Sequence, residues 1–364
     1  MEGMGPDWKG LLKWSMANSD GTQPAREISD EERRWFNEAV QSQVVDVIKR
    51  MKEIALVMSM PVPVLEAQGV TVEELEGMLE ELQEHVESID MANDLDAIGG
   101  LVPLLNYLKS PHAGIRSRAA EVVSTVVQNN PKSQQQVLDN QGLEYLLFNF
   151  TKDKDITSRT KALGAISSLI RHNKAGTAAF RLANGYAGLR DALSSEDPRF
   201  QRKALQLLQY LIQDNVKDAS AASELGFMHS LISFASNPNA DVRQAALHVL
   251  LEIAQNRRDG EEVTTPEEMS ALRTVLGDRI DEISSLNPED LAALKEERHL
   301  VDALWQLLFH EPSKLRKDGL LGLPEDDETP PEVAVRSPSL LEASRIRPPD
   351  VAQAKDVPVL RLGI

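Results

Sequence analysis

The chain has 364 residues, 57 acidic against 39 basic, with a formal net charge of −18. That charge disfavours nucleic acid and anionic membrane surfaces as partners. There is no cysteine, which excludes disulfides, thiolate metal sites and cysteine nucleophiles. With 41% hydrophobic and only 4% aromatic residues, the composition suits helices of Leu, Ala and Val better than a β-sandwich.

The opening MEGMGPDWKG has no basic segment followed by an apolar run, and no stretch reaches membrane-spanning length, so the cytosol is the expected compartment. Gly, Pro and Asp punctuate residues 1–28 as a separable arm that carries Trp8 and Trp14. In it Trp8, Leu11, Leu12 and Ser15 share one helical face, flanked by Lys9 and Lys13. The arm reads as an amphipathic segment folding back onto the body, or as a mobile peptide presenting Leu11-Leu12.

Residues 29–97 are expected to be N-terminal capping helices. A Ser29–Glu32 capping box opens a helical run that Pro61 and Pro63 end. Thr71 and Glu74 form a second box. The helix it opens places Leu75, Met78, Leu79, Leu82, Val86 and Ile89 at helical spacing. Residues 71–96 hold ten carboxylates and no Lys or Arg, the pattern of a solvated outer face, with docking of a basic partner as the alternative.

From residue 98 the chain repeats itself. A Gly before an apolar run recurs at Gly100, Gly142, Gly185 and Gly226, at spacings of 42, 43 and 41 residues. An Ala within a longer apolar helix keeps step at Ala119, Ala162, Ala204 and Ala246, and an Asn follows that helix at Asn130, Asn173 and Asn215. Pro111, Pro198 and Pro238 mark turns before three of the long helices. A three-helix unit of this period is the armadillo signature. The expected fold is all-α: a right-handed superhelical solenoid with four repeats over 98–257 and C-terminal capping helices over 258–311. These caps run from about Pro266 to Ser285 and from Pro288 to His310. Eight of the 19 prolines fall in the last 54 residues, so 312–364 reads as a Pro-rich, acidic, disordered tail.

No Walker loop, nucleophile elbow, zinc-helix motif or calcium loop is present, and the seven histidines are scattered. Asn149-Phe150-Thr151 fits a glycosylation pattern by chance. The chain reads as a binding protein without catalytic residues, metal or cofactor, acting as a monomer. A solenoid offers a concave surface lined by the last helix of each unit. Alignment on the marker alanines puts Arg118, Thr125 and Asn129, then Lys161, Ser168 and His172, on that face. Lys203, Tyr210 and Asp214 follow from the third unit, and His248 and Glu252 from the fourth. Tyr210 is the expected anchor. A basic row, Arg116, Arg159, Arg199, Arg202 and Arg243, starts the long helices, where cations oppose the macrodipole. Either the heads meet carboxylates of the neighbouring repeat, or they await an acidic partner.

The stretches GLLKWSMANSDGT, ERRWFNEAVQSQ, HVESIDMANDLDAIGGLVPLL and ISSLIRHNKAGTAAFRLANGYAGLRDAL resemble the Fes-type armadillo nucleotide exchange factors of the 70-kDa heat-shock chaperone, in particular the plant branch. The resemblance implies that the array grips one lobe of the chaperone's ATPase domain and displaces the other, releasing ADP. It implies too that the arm is a release segment, with Leu11, Leu12 and Trp14 mimicking client in the peptide site. The expected location is the cytosol, with nuclear entry left open. The competing class is a generic armadillo adaptor for extended peptides. The slots where such grooves carry Trp and Asn hold Thr125, Ser168, Tyr210 and Glu252 here.

Overall fold

The computed structural model describes residue 34 and residues 47–215, 218, 222, 225–256 and 264–322. The arm with Leu11, Leu12 and Trp14, the Ser29–Glu32 box and residues 323–364 lie outside them. Every regular element among the described residues is helical. In chain order they are α1 (47–58), α2 (Val62–Ala67), α3 (Val72–His85), α4 (Ile89–Ala97), α5 (Leu101–Tyr107) and α6 (Ala113–Val127). Next come α7 (Pro131–Asp139), α8 (Gly142–Lys152), α9 (Ile156–Ile170), α10 (Lys174–Leu182), α11 (Gly185–Leu193) and α12 (Pro198–Asp214). The chain closes with α13 (Phe227–Phe234), α14 (Ala240–Gln255), α15 (Pro266–Ser284), α16 (Pro288–Ala293), α17 (Lys295–Phe309) and α18 (Lys314–Lys317). No helix among the described residues is long and apolar enough to cross a membrane.

The long helices α6, α9, α12 and α14 pack each on the next, with α3 against α6 and α17 against α14. Each is clasped from several sides. In α9, Ala162, Leu163, Ala165, Ile166, Leu169 and Ile170 are all buried, and the marker alanines Ala119, Ala162, Ala204 and Ala246 are inaccessible. An Ala there lets neighbouring long helices approach closely. Aromatic rings bridge the units beside them: Phe150 meets Phe200 edge-on at 5.9 Å, and Tyr186 meets Phe227 at 6.4 Å.

The recurring Asn is a hinge between units. Asn130 accepts the Ser133 N–H to cap α7, while its amide donates to the Val126 carbonyl at the end of α6. Asn173 repeats this with the Gly176 N–H and the Leu169 carbonyl. One side chain thereby satisfies an orphan acceptor of one helix and an orphan donor of the next. Asn149 is likewise structural: it is buried, with its amide on the Leu108 carbonyl of the previous unit at 2.8 Å.

The marker glycines do different work in different units. Gly142 and Gly185 are the first residues of α8 and α11, where a Cβ would lie 2.4 Å from Val137 Cγ1 and 2.3 Å from the Phe180 ring. The left-handed residue falls one position earlier, at Gln141 (φ 61°) and Asn184 (φ 60°). Gly226 (φ 77°) takes that left-handed position itself, and buried Phe227 fills the packing slot. The fourth marker is therefore out of register by one residue.

Three further expectations are corrected. The helix from Thr71 has its capping box, but it ends at His85. Ser88 turns extended (ψ 129°) and α4 begins, so Ile89 is 57% exposed and not core. This also places the short helix of the first unit on the N-terminal side of residue 98. The run from Pro288 to His310 is two helices that meet at Leu294. Residues 312–322 are folded: Leu315 and Ser313 are fully buried, and Ser313 and Arg316 both donate to Asp302.

The C-terminal end is held by charge. Glu297 is inaccessible and receives Arg243 Nε and Arg279 Nε, each at 2.6 Å. Burial pushes the Glu297 carboxyl up, but the two arginines more than offset this and hold it below the usual 4.5. Its stabilisation is complete above the ordinary glutamate value and is lost as pH falls below 4.5 towards the depressed one. Glu297→Gln keeps the shape but removes the carboxylate of Arg243, itself buried, and leaves Arg279 with Glu282 alone. Urea unfolding at pH 7 should show a loss of about 3–5 kcal/mol, and the difference between the two chains should shrink as the pH is lowered through that range.

A candidate partner-binding groove on the inner face

The face shared by α3, α6, α9 and α12 is polar although the helices behind it are apolar. Its main depression, of about 520 Å³, is lined by Ser124, Ser168, Arg171, Lys203, Gln206 and Tyr210 among others. A smaller one of about 200 Å³ continues it through Gln83, Glu121, Thr125 and Lys161, and the two share Ser124, Gly164 and Lys203.

Most predicted face residues on the helices line or border this groove, already linked to one another. Thr125 accepts from Gln83, and Ser168 shares a hydrogen bond of 2.9 Å with Ser124. Lys161 pairs with Glu121, as does Arg118 at 3.3 Å. His248 meets Glu296 at 3.1 Å, and Glu252 accepts from Gln213. Asp214 is exposed beside Arg181. Asn129 (φ 51°) and His172 (φ 57°) lie not within α6 and α9 but in left-handed turns just beyond their ends. Tyr210 is half-buried and not a free anchor: its hydroxyl accepts the His172 N–H at 2.7 Å, and Arg171 lies 4.6 Å from its ring centre.

Lys203 differs from its neighbours. Its ammonium has no ion pair among the described residues, and it lies in the floor where both depressions meet. Burial lowers the Lys203 pKa, reinforced by Lys161, Arg199 and Arg202 and opposed in smaller measure by Glu121. A desolvated, unpaired cation is a ready site for a carboxylate. The face alignment passed over Gln206, Gln209 and Gln213. They line the groove one to three turns on from Lys203 along α12, a polar stripe at helical spacing beside that helix's buried apolar face.

Two regions of the chain match known families: residues 8–95 the nucleotide exchange factor Fes1, and residues 91–230 the SIL1/FES1/HPBP1 C-terminal domain. Hsp70-binding protein 1 of Homo sapiens is 30% identical over 261 residues, covering 69% of this chain and 73% of its own length. The chain belongs to the Fes1 and Hsp70-binding protein 1 family. The Hsp70 nucleotide exchange factor FES1 of Mycosarcoma maydis is 31% identical over 223 residues, with 58% of this chain and 57% of that protein aligned. Among solved structures, a designed armadillo repeat protein superposes with a TM-score of 0.54 at 16% identity, covering 71% of this chain and 99% of that one. That likeness shows the armadillo solenoid fold.

In this Fes1-family chain the basic row turns inward. Arg116 makes a two-pronged pair with Asp153 at 2.6 and 2.7 Å, and donates to the carbonyls of Ser110 and Pro111. Arg159 pairs with Asp191 and donates to the Phe150 carbonyl, while Arg243 donates to that of Asn237. The guanidinium heads thus bond carbonyls in the last turn of α8 (Arg159) or in the turns that follow α5 and α13 (Arg116 and Arg243), which offsets their position at a helix start. Unit three breaks the row: its slot is Gln201, which donates to the Ser195 carbonyl. Arg202 instead pairs with exposed Asp241 at 2.6 Å, and Arg199 is exposed on the surface. Arg116→Ala would leave the Asp153 side chain, only 2% exposed, without its counter-charge. Denaturant titration should show a loss of about 3 kcal/mol or more, against less than about 0.5 kcal/mol for Arg199→Ala.

Proposed function

We propose that this chain is a nucleotide exchange factor and co-chaperone for Hsp70, whose inner face grips one lobe of the chaperone's ATPase domain and displaces the other. Membership of a family described as nucleotide exchange factors supports the activity. The observation that carries the residue-level reading is Lys203, an ammonium with no ion pair among the described residues, in the floor of a polar groove spanning successive repeats. ADP is held between the two lobes, so prising them apart releases it, ATP rebinds, and client is let go. The chain itself makes and breaks no bond. It supplies a rigid curved surface whose binding free energy is spent on opening the cleft. In the same reading Leu11, Leu12 and Trp14 of the arm occupy the vacated client site. In this reading the chain works in the cytosol.

Release of labelled ADP from purified Hsp70, with and without this chain, tests the activity. Acceleration is expected, and an unchanged rate overturns the reading. Lys203→Met should keep full thermal stability, because it removes a desolvated charge. Its Hsp70 affinity should fall by about 2 kcal/mol or more, mainly through faster dissociation. Leu11→Ala combined with Leu12→Ala should leave ADP release intact while freed client rebinds. If that pair slows ADP release as much as Lys203→Met does, the arm belongs to the grip and is no client mimic.

A further inference from the structure

A second groove, of about 420 Å³, opens where α3 gives way to α4 and faces the turn after α6. Val86, Glu87, Ile89, Thr125, Gln128 and Asn129 line it, and Thr125 connects it to the inner face. Ile89 is anomalous. It is 57% exposed at the first position of α4, where the equivalent helices of the next two units start with Pro131 and Lys174. Glu87 is the charged residue among those lining the groove, and Glu84 and Asp90 lie close to it in sequence. Glu84, Glu87 and Asp90 are exposed, and none forms an ion pair among the described residues. The carbonyl end of α6 adds partial negative charge on the opposite wall.

We propose that the chain's own N-terminal segment, Trp8 to Trp14, docks in this groove when no chaperone is bound. The chemistry matches on both counts. The segment offers an apolar face of Trp8, Leu11 and Leu12 to Ile89, and Lys9 and Lys13 flank that face for the carboxylates around it. Its reach is ample. The 14 residues between Trp14 and Ser29, where the expected helical run begins, can by themselves span roughly 50 Å when extended, and α1 lies against α3 through the Arg50–Glu81 pair at 2.7 Å. Tethering holds the segment at an effective concentration in the millimolar range, so a contact too weak to survive in trans persists in cis. Docking would occupy the rim of the inner face. If the exchange reading is right, the chaperone and the segment then exclude one another there, and the client mimic is released only as the array engages Hsp70.

The chain has no cysteine, so Gly10→Cys introduces a unique thiol for a nitroxide label in the full-length protein. Without chaperone, the electron-spin spectrum should be dominated by an immobilised component at dilute, varied protein concentration. Ile89→Lys with Glu87→Lys should lower the ratio of immobile to mobile label roughly tenfold. Val102→Lys, another exposed apolar site (49%), should leave it unchanged. A freely mobile label in the parent chain overturns the proposal. So does an immobile label that ignores the Ile89 and Glu87 changes, or immobilisation that grows with protein concentration and so reports a second copy. Hsp70 is absent from the measurement, so a negative result leaves the exchange activity, read separately by ADP release, untouched.

Discussion

Each long helix of this protein is too apolar to face water alone, and the stacking of α6, α9, α12 and α14 is what makes the chain a single body. The marker alanines allow close approach, and the aromatic pairs beside them carry the core from one unit to the next. Because each unit leans only on its neighbours, the ends must be closed. Here α3 covers one end and α17 the other, the latter tied down by the buried Arg243–Glu297–Arg279 cluster. A rigid curved surface follows from this, and rigidity is what a protein needs if it is to push two lobes of a partner apart.

The same constraint governs where charge is placed. In a chain of net charge −18, the arginines at the starts of the long helices look available to an acidic partner. Three of them instead bond carbonyls at the end of the preceding helix or in the turn after it, and pair with carboxylates farther along the chain. They fix the angle between helices within and between units. The cation that stands apart is Lys203, partly desolvated and with no ion pair among the described residues, at the junction of the two inner depressions.

The period, the helix types and the polar inner stripe were legible in the sequence because each has a local cause. Thr71 and Asn130 cap helices by side-chain chemistry that a short window contains. The errors arose where the cause is tertiary. Gly226 looks like Gly142, yet one adopts a left-handed backbone and the other makes room for Val137. Ile89 keeps helical spacing with Val86, but the helix has already ended. Gln201 holds the slot that a search for basic residues assigned to Arg199 and Arg202, since either residue type can reach a carbonyl. Residues 312–322 read as tail because their order comes from Asp302 and from Arg298, whose guanidinium donates to the Leu320 carbonyl.

If the groove grips Hsp70 in a geometry incompatible with a closed nucleotide cleft, the two ligands of the chaperone must oppose one another by a single coupling free energy. Calorimetric titration reads it from both sides: this chain into nucleotide-free and ADP-saturated Hsp70, and ADP into Hsp70 with and without this chain. Both affinities should fall by the same factor, within the usual range of roughly 5–150-fold. Equal affinity of the chain for nucleotide-free and ADP-bound Hsp70 would contradict the account.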